Sequence, residues 1–72
     1  LAHADLSETN LEQATLVGAY LGYANFSGAA MTGANLSGAE LTGATGLTQA
    51  QLNTACGDAT TVLPGSFTIP AC

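Results

Sequence analysis

From Ala14 the chain reads Ala14-Thr15-Leu16-Val17-Gly18, Ala19-Tyr20-Leu21-Gly22-Tyr23, Ala24-Asn25-Phe26-Ser27-Gly28, Ala29-Ala30-Met31-Thr32-Gly33, Ala34-Asn35-Leu36-Ser37-Gly38, Ala39-Glu40-Leu41-Thr42-Gly43 and Ala44. One five-residue unit is repeated. Its large apolar member, position i, is Leu1, Leu6, Leu11, Leu16, Leu21, Phe26, Met31, Leu36 and Leu41. Position i−2 is Ala4, Thr9, Ala14, Ala19, Ala24, Ala29, Ala34 and Ala39, so a small residue precedes nearly every large one.

A period of five suits neither regular element. On a helix five residues turn about 500°, and successive Leu side chains would define no common face. On a strand i−2 and i share a face, but the next Ala, three residues on, falls on the other. The pattern stays one-sided only if the chain turns a corner once per pentad. Glycine at i+2 (Gly18, Gly28, Gly33, Gly38, Gly43) suits that corner. Corners of one hand close the chain into a coil with Ala and Leu inside, which is a solenoid.

The motif Ala4-Asp5-Leu6, Ala24-Asn25-Phe26 and Ala34-Asn35-Leu36 resembles that of the pentapeptide-repeat proteins. The resemblance covers roughly residues 1–46. It implies an all-β solenoid, a right-handed quadrilateral β-helix in which four pentads make one coil, here about two coils. Thr15, Tyr20, Ala30 and Glu40 depart from the family preference for Asp or Asn at i−1. That departure puts a ladder of stacked Asn/Asp side chains in doubt and leaves the fold intact.

If four pentads close a coil, residues twenty apart stack. The core repeat is then Leu6, Leu11, Leu16, Leu21, Phe26, Met31, Leu36 and Leu41, with the Ala layer beside it and Thr9 as its one polar member. Ser7, Val17, Ser27, Thr32, Ser37 and Thr42 face outward. His3 and Tyr23 share an outer column, and Asp5, Glu8 and Glu12 spread over adjacent walls.

The repeat breaks at Ala44-Thr45-Gly46, and residues 47–72 are expected to form a C-terminal cap within the same domain. Thr48-Gln49-Ala50-Gln51 reads as a capping box. The short helix that follows lays Leu47, Leu52 and Ala55 or Cys56 over the last coil, with Gly57 as its terminator. Beyond it Thr60–Leu63 is extended and Pro64-Gly65 is a turn. This tail is similar to the C-terminal ends of bacterial pentapeptide-repeat proteins.

The chain has 72 residues, no Lys or Arg, and a formal charge of −5 from Asp5, Glu8, Glu12, Glu40 and Asp58. With no cation to release counterions, it is expected to bind no nucleic acid and no anionic membrane surface. No run is long and apolar enough to insert in a membrane. The absence of an initiating Met, with Leu1 already at position i, suggests either a processed or truncated piece of a longer protein or a trimmed design.

Cys56 and Cys72 are too few for a structural zinc site, and the single His lies at the far end. A disulfide between them would close a loop of about 17 residues and stabilise by about 3 kcal/mol. It would indicate a periplasmic, extracellular or other oxidising compartment. Free thiols would fit the cytoplasm equally well. No nucleophile–base pair, metal cluster or cofactor motif is present, so no cofactor, metal or catalysis is expected.

The function expected is therefore a non-catalytic structural or protein-interaction module. The alternative implied by the resemblance is a DNA-mimicking inhibitor or protector of a type II topoisomerase. The contact surface expected is the amino-terminal coil, where Leu1, Leu6 and Leu11 are interface candidates for a protein partner or for self-association.

Overall fold

The computed structural model describes residues 3–72. Its local unit is a tight turn at each pentad boundary. The carbonyl of position i accepts from the N–H of i+3, as in Leu6–Thr9, Leu11–Ala14, Phe26–Ala29 and Leu36–Ala39, at 2.9–3.3 Å. Position i+2 of each such turn has a left-handed backbone, as type II turns require. The torsion φ there lies between 56° and 74° at His3, Glu8, Gln13, Gly18, Tyr23, Gly28, Gly33, Gly38 and Gly43. Glycine is therefore the preferred residue at these corners, and four other side chains accept the strained conformation.

Four corners bring the chain back over itself after twenty residues. Asp5 pairs with Asn25, Asn10 with Ala30, Thr15 with Asn35, Tyr20 with Glu40 and Asn25 with Thr45, each as a parallel bridge. The centre of each face bonds in both directions. Asn25 N–H donates to the Ala4 carbonyl at 2.9 Å, and its own carbonyl accepts from Leu6 N–H at 2.8 Å. We number the faces in chain order by these outward columns. The first is Asp5/Asn25/Thr45, the second Asn10/Ala30, the third Thr15/Asn35 and the fourth Tyr20/Glu40.

The bridges stay isolated, and among the described residues they join into no continuous strand or sheet. The reason is the corner itself. A turn every five residues leaves only i−2 to i straight, which is too short for two consecutive bridges. What the sequence predicts as a β-helix is thus seen as stacked, parallel-bridged turns.

Leu21, Phe26, Met31, Leu36 and Leu41 are buried with Ala24, Ala29, Ala34 and Ala39 beside them. Small and large side chains alternate toward the centre, so opposite faces approach and no space is left between them. Leu6, Leu11 and Leu16 pack against this core from one side only and remain half-buried. Each fully buried Leu contributes about 1.5–3 kcal/mol by leaving water, and these three contribute less. Thr9 directs its hydroxyl to the Ser7 carbonyl at 3.4 Å.

Past Gly46 the register changes. Helix α1, Gln49–Thr54, starts at the N-cap Thr48 with a complete capping box, Gln51 returning its side chain to the Thr48 N–H at 2.7 Å. Leu47, Leu52 and Ala55 are buried over the last turn. The chain then rejoins the stack on two faces only. Cys56 bridges Asn35 on the third face and Val62 bridges Glu40 on the fourth, at separations of 21 and 22 rather than 20.

Two details differ from expectation. The helix ends on Ala55 in extended backbone, not on Gly57, which instead pairs with Ala71. Gly57 is required by closeness: a Cβ there would stand 2.7 Å from Thr61 Oγ1 and 3.1 Å from Ile69 Cγ2. The extended run expected at Thr60–Leu63 narrows to Val62, because Thr60 is drawn into a turn by the Asp58 carboxylate, which accepts from its N–H at 2.9 Å.

Candidate interaction surfaces

The outward side chains at i−1 explain the Asp/Asn preference. Asp5, Asn10, Asn25 and Asn35 each accept from the backbone N–H two residues on, at Ser7, Glu12, Ser27 and Ser37, over 2.9–3.0 Å. They hold their own corners rather than stacking on one another. Asp58 repeats the device in the cap. Its carboxylate accepts from Thr60 Oγ1 at 2.6 Å and Thr60 N–H, as Asp5 does from Ser7 Oγ at 2.6 Å and Ser7 N–H. The Ser7 hydroxyl and then its N–H hold the Asp5 carboxyl below the ordinary aspartate range. Asp58 is lowered chiefly by the Thr60 hydroxyl and N–H, with the Gly38 N–H adding a smaller pull. Both carboxylates are fully exposed, so these are local turn contacts and not ion pairs.

Cys56 and Cys72 are joined by a disulfide, with Cα atoms 4.7 Å apart. The bond closes the far end of the tail onto the third face. There Gly57 N–H donates to the Pro70 carbonyl at 2.8 Å and Cys72 N–H to the Gly57 carbonyl at 3.2 Å. Gln51 performs a second closure. Its Nε2 donates to the Phe26 and Ala29 carbonyls, at 2.9 and 3.0 Å, at the turn that enters the second face, a face on which the cap forms no backbone bridge.

Of the interface candidates, Leu1 lies outside the described residues, while Leu6 and Leu11 are half-buried at the rim of the first turn. At this end the ladder is open. The carbonyls of Asp5, Asn10 and Thr15, whose counterparts one turn on accept bonds, have no partner among the described residues. Asp5, Glu8 and Glu12 stand around that rim on different faces and corners. Among the described residues no three His, Cys, Asp or Glu side chains converge as a metal site would require, and no cavity opens.

His3 and Tyr23 stack one turn apart, ring centroids 5.3 Å apart and planes 9° from parallel. Tyr20 and Val62 flank Glu40 on the fourth face, and Val17 stands at the corner entering it. The Val62 contribution was hidden in the sequence, because its spacing from Glu40 is not a multiple of five.

The family model described as Pentapeptide repeats (8 copies) matches residues 1–33, 10–45 and 19–56. No curated protein and no solved structure matches the chain.

Proposed function

Because the chain belongs to the pentapeptide-repeat family, we propose that it is a non-catalytic structural and protein-interaction module. It is a rigid right-handed, four-sided β-helix of about two coils over residues 1–46, closed by the cap at 47–72. Its amino-terminal coil meets a second copy or another protein. One observation carries this reading: the second turn buries its large side chains completely, while the equivalent ring Leu6, Leu11 and Leu16 is half-buried and its ladder is open among the described residues. Such an edge is a template for further pairing. The disulfide supports residence in an oxidising compartment, periplasmic or extracellular.

The duplex-mimicking alternative has weaker support. Over the 25 Å long axis a DNA duplex presents about 15 charges, at one per ~1.7 Å, against five carboxylates here. A supercoiling assay with a type II topoisomerase, with and without duplex competitor, separates the two readings.

Sedimentation across a concentration series tests the contact surface. Self-association is expected, weakened by Leu6→Glu or Leu11→Glu and strengthened by salt, which screens the Asp5, Glu8 and Glu12 rim. A monomer at every concentration, or association indifferent to both substitutions, overturns the amino-terminal coil as a self-association surface.

A further inference from the structure

The exposed large hydrophobic side chains of the described residues are Val17, Tyr20, Tyr23 and Val62, each between 45% and 57% accessible. All four fall on the fourth face or the corners that bound it. Val17 is at the corner where the chain enters, Tyr20 and Val62 lie above and below Glu40, and Tyr23 is at the corner where the chain leaves. His3 extends the patch by stacking on Tyr23. The outward columns of the other three faces carry Asp, Asn, Thr, Ala and Cys. Apolar surface gathered on one side of an otherwise small and polar exterior marks an interaction site.

Two further observations bear on what it meets. His3 and Tyr23 keep bulky rings on left-handed backbone, φ 62° and 60°, where five other corners use glycine. Rings held at a strained position point to a role that glycine cannot fill. Glu40, half-buried between Tyr20 and Val62, makes no side-chain hydrogen bond among the described residues. The chain contains no Lys or Arg to pair with it.

We propose that the fourth face, with Tyr20, Tyr23 and Glu40, docks an arginine-bearing segment of another protein. The guanidinium lies flat on Tyr20 and pairs with the Glu40 carboxylate, a combination a planar cation satisfies better than an ammonium. Tyr23, whose ring is held between His3 and Gly43, forms the rim of the site. A second copy of this chain has no such cation to offer, so the occupant is a heterologous basic segment. This rests on the interaction-module reading but not on its amino-terminal contact.

The test is titration of the full chain with a short peptide alternating arginine and glycine. Tyrosine ring resonances are followed by NMR, and the same peptide carrying citrulline, the neutral isostere, serves as control. Saturable shifts of Tyr20 and Tyr23 are expected with arginine and not with citrulline. Tyr20→Ser and Tyr23→Gly should each weaken binding about two- to fivefold, and Glu40→Gln should weaken it while Glu12→Gln does not. Tyr23→Gly also relieves the corner, so folding is preserved. Equal losses for Glu40→Gln and Glu12→Gln would mean attraction to net charge alone and overturn the site. So would absence of ring shifts, or self-association abolished by the tyrosine substitutions. Binding that persists in Leu6→Glu keeps this face separate from the amino-terminal coil.

Discussion

The ring of Tyr23 lies over Gly43, one turn further along the same corner column, so that a Cβ built on Gly43 would overlap three ring carbons. In this column His3 and Tyr23 stack ring on ring, and the ring of Tyr23 in turn takes the space that a side chain at residue 43 would need. Glu8 and Gln13 stand over Gly28 and Gly33 less closely, a Cβ there lying 3.2 Å from Glu8 Cγ and 2.9 Å from Gln13 Nε2.

Gly43→Ala is expected to destabilise by about 1–2 kcal/mol through its left-handed backbone, φ 72°, and further by displacing Tyr23. Tyr23→Gly should stabilise on its own and remove the second part of the cost. Urea denaturation of the two single variants and the double variant measures the coupling. Strict additivity would show that the ring yields without penalty.

The two turns should respond differently to the same truncation. Leu36→Ala, at a fully buried site, is expected to cost about 2–5 kcal/mol by opening a cavity. Leu11→Ala, at a half-buried one, should cost less, and Ser37→Ala little. Chemical denaturation orders the three, and equal losses at Leu36 and Ser37 would contradict the inward and outward assignment.

The disulfide holds the tail rather than the coils. Alkylation of the unreduced protein should label neither Cys56 nor Cys72, and reduction should lower stability by about 3 kcal/mol. Amide exchange should rise first at Gly57 and Cys72, whose N–H groups bond across the closure. Uniform exchange throughout the chain would show that cap and coils open as one unit.

Acid should loosen the cap around Asp58 and the first turn around Asp5. A carboxyl held below its ordinary range binds fewer protons folded than unfolded. Its stabilisation is therefore complete above the unfolded pKa, near about 4, and is lost as pH falls through the folded value. Asp58, held by Thr60 and Gly38, and Asp5, held by Ser7, both have this sign. Asp58→Asn keeps an acceptor oxygen and should flatten part of the fall in melting temperature on acidification. An unchanged profile would place the acid sensitivity elsewhere.

Features set by the local repeat were legible in the sequence. The corner at i+2, the stack of His3 on Tyr23 and the Thr48–Gln51 box depend on spacings of twenty, five or three residues. Features created where the chain leaves that spacing were not. Cys56 and Val62 return to the stack one and two residues late, so no arithmetic on the repeat places Cys56 beside Asn35 or Val62 beside Glu40. Gly57 resembled a helix terminator because its other partners, Thr61 and Ile69, arrive from the folded tail. The departures at i−1 put a ladder of stacked Asn/Asp side chains in doubt, and the structure supplies the reason: the nearest unsatisfied donor is the N–H two residues on, and that local bond wins.

Gln51 joins these two kinds of information, since one oxygen serves the helix and one nitrogen serves the coil. Its Oε1 accepts from the Thr48 N–H, which caps α1, while its Nε2 reaches the Phe26 carbonyl and covers the Ala29 carbonyl that a further turn of backbone would otherwise meet. Gln51→Glu separates the roles. The carboxylate still caps the helix but brings negative charge to two carbonyls and leaves Ala29 without a donor. Leaving a buried acceptor unsatisfied costs about 1–3 kcal/mol, and Gln51→Ala also removes the Gln51 half of the capping box, while the Thr48 hydroxyl still accepts from the backbone N–H of residue 51. Glu should therefore lower stability while leaving α1 formed in the folded state. Amide exchange at Ala29–Met31 should rise in both variants and at Thr48–Leu52 in Ala alone. Protection retained at Ala29–Met31 in the Glu variant would show that the second face closes without the Gln51 amide.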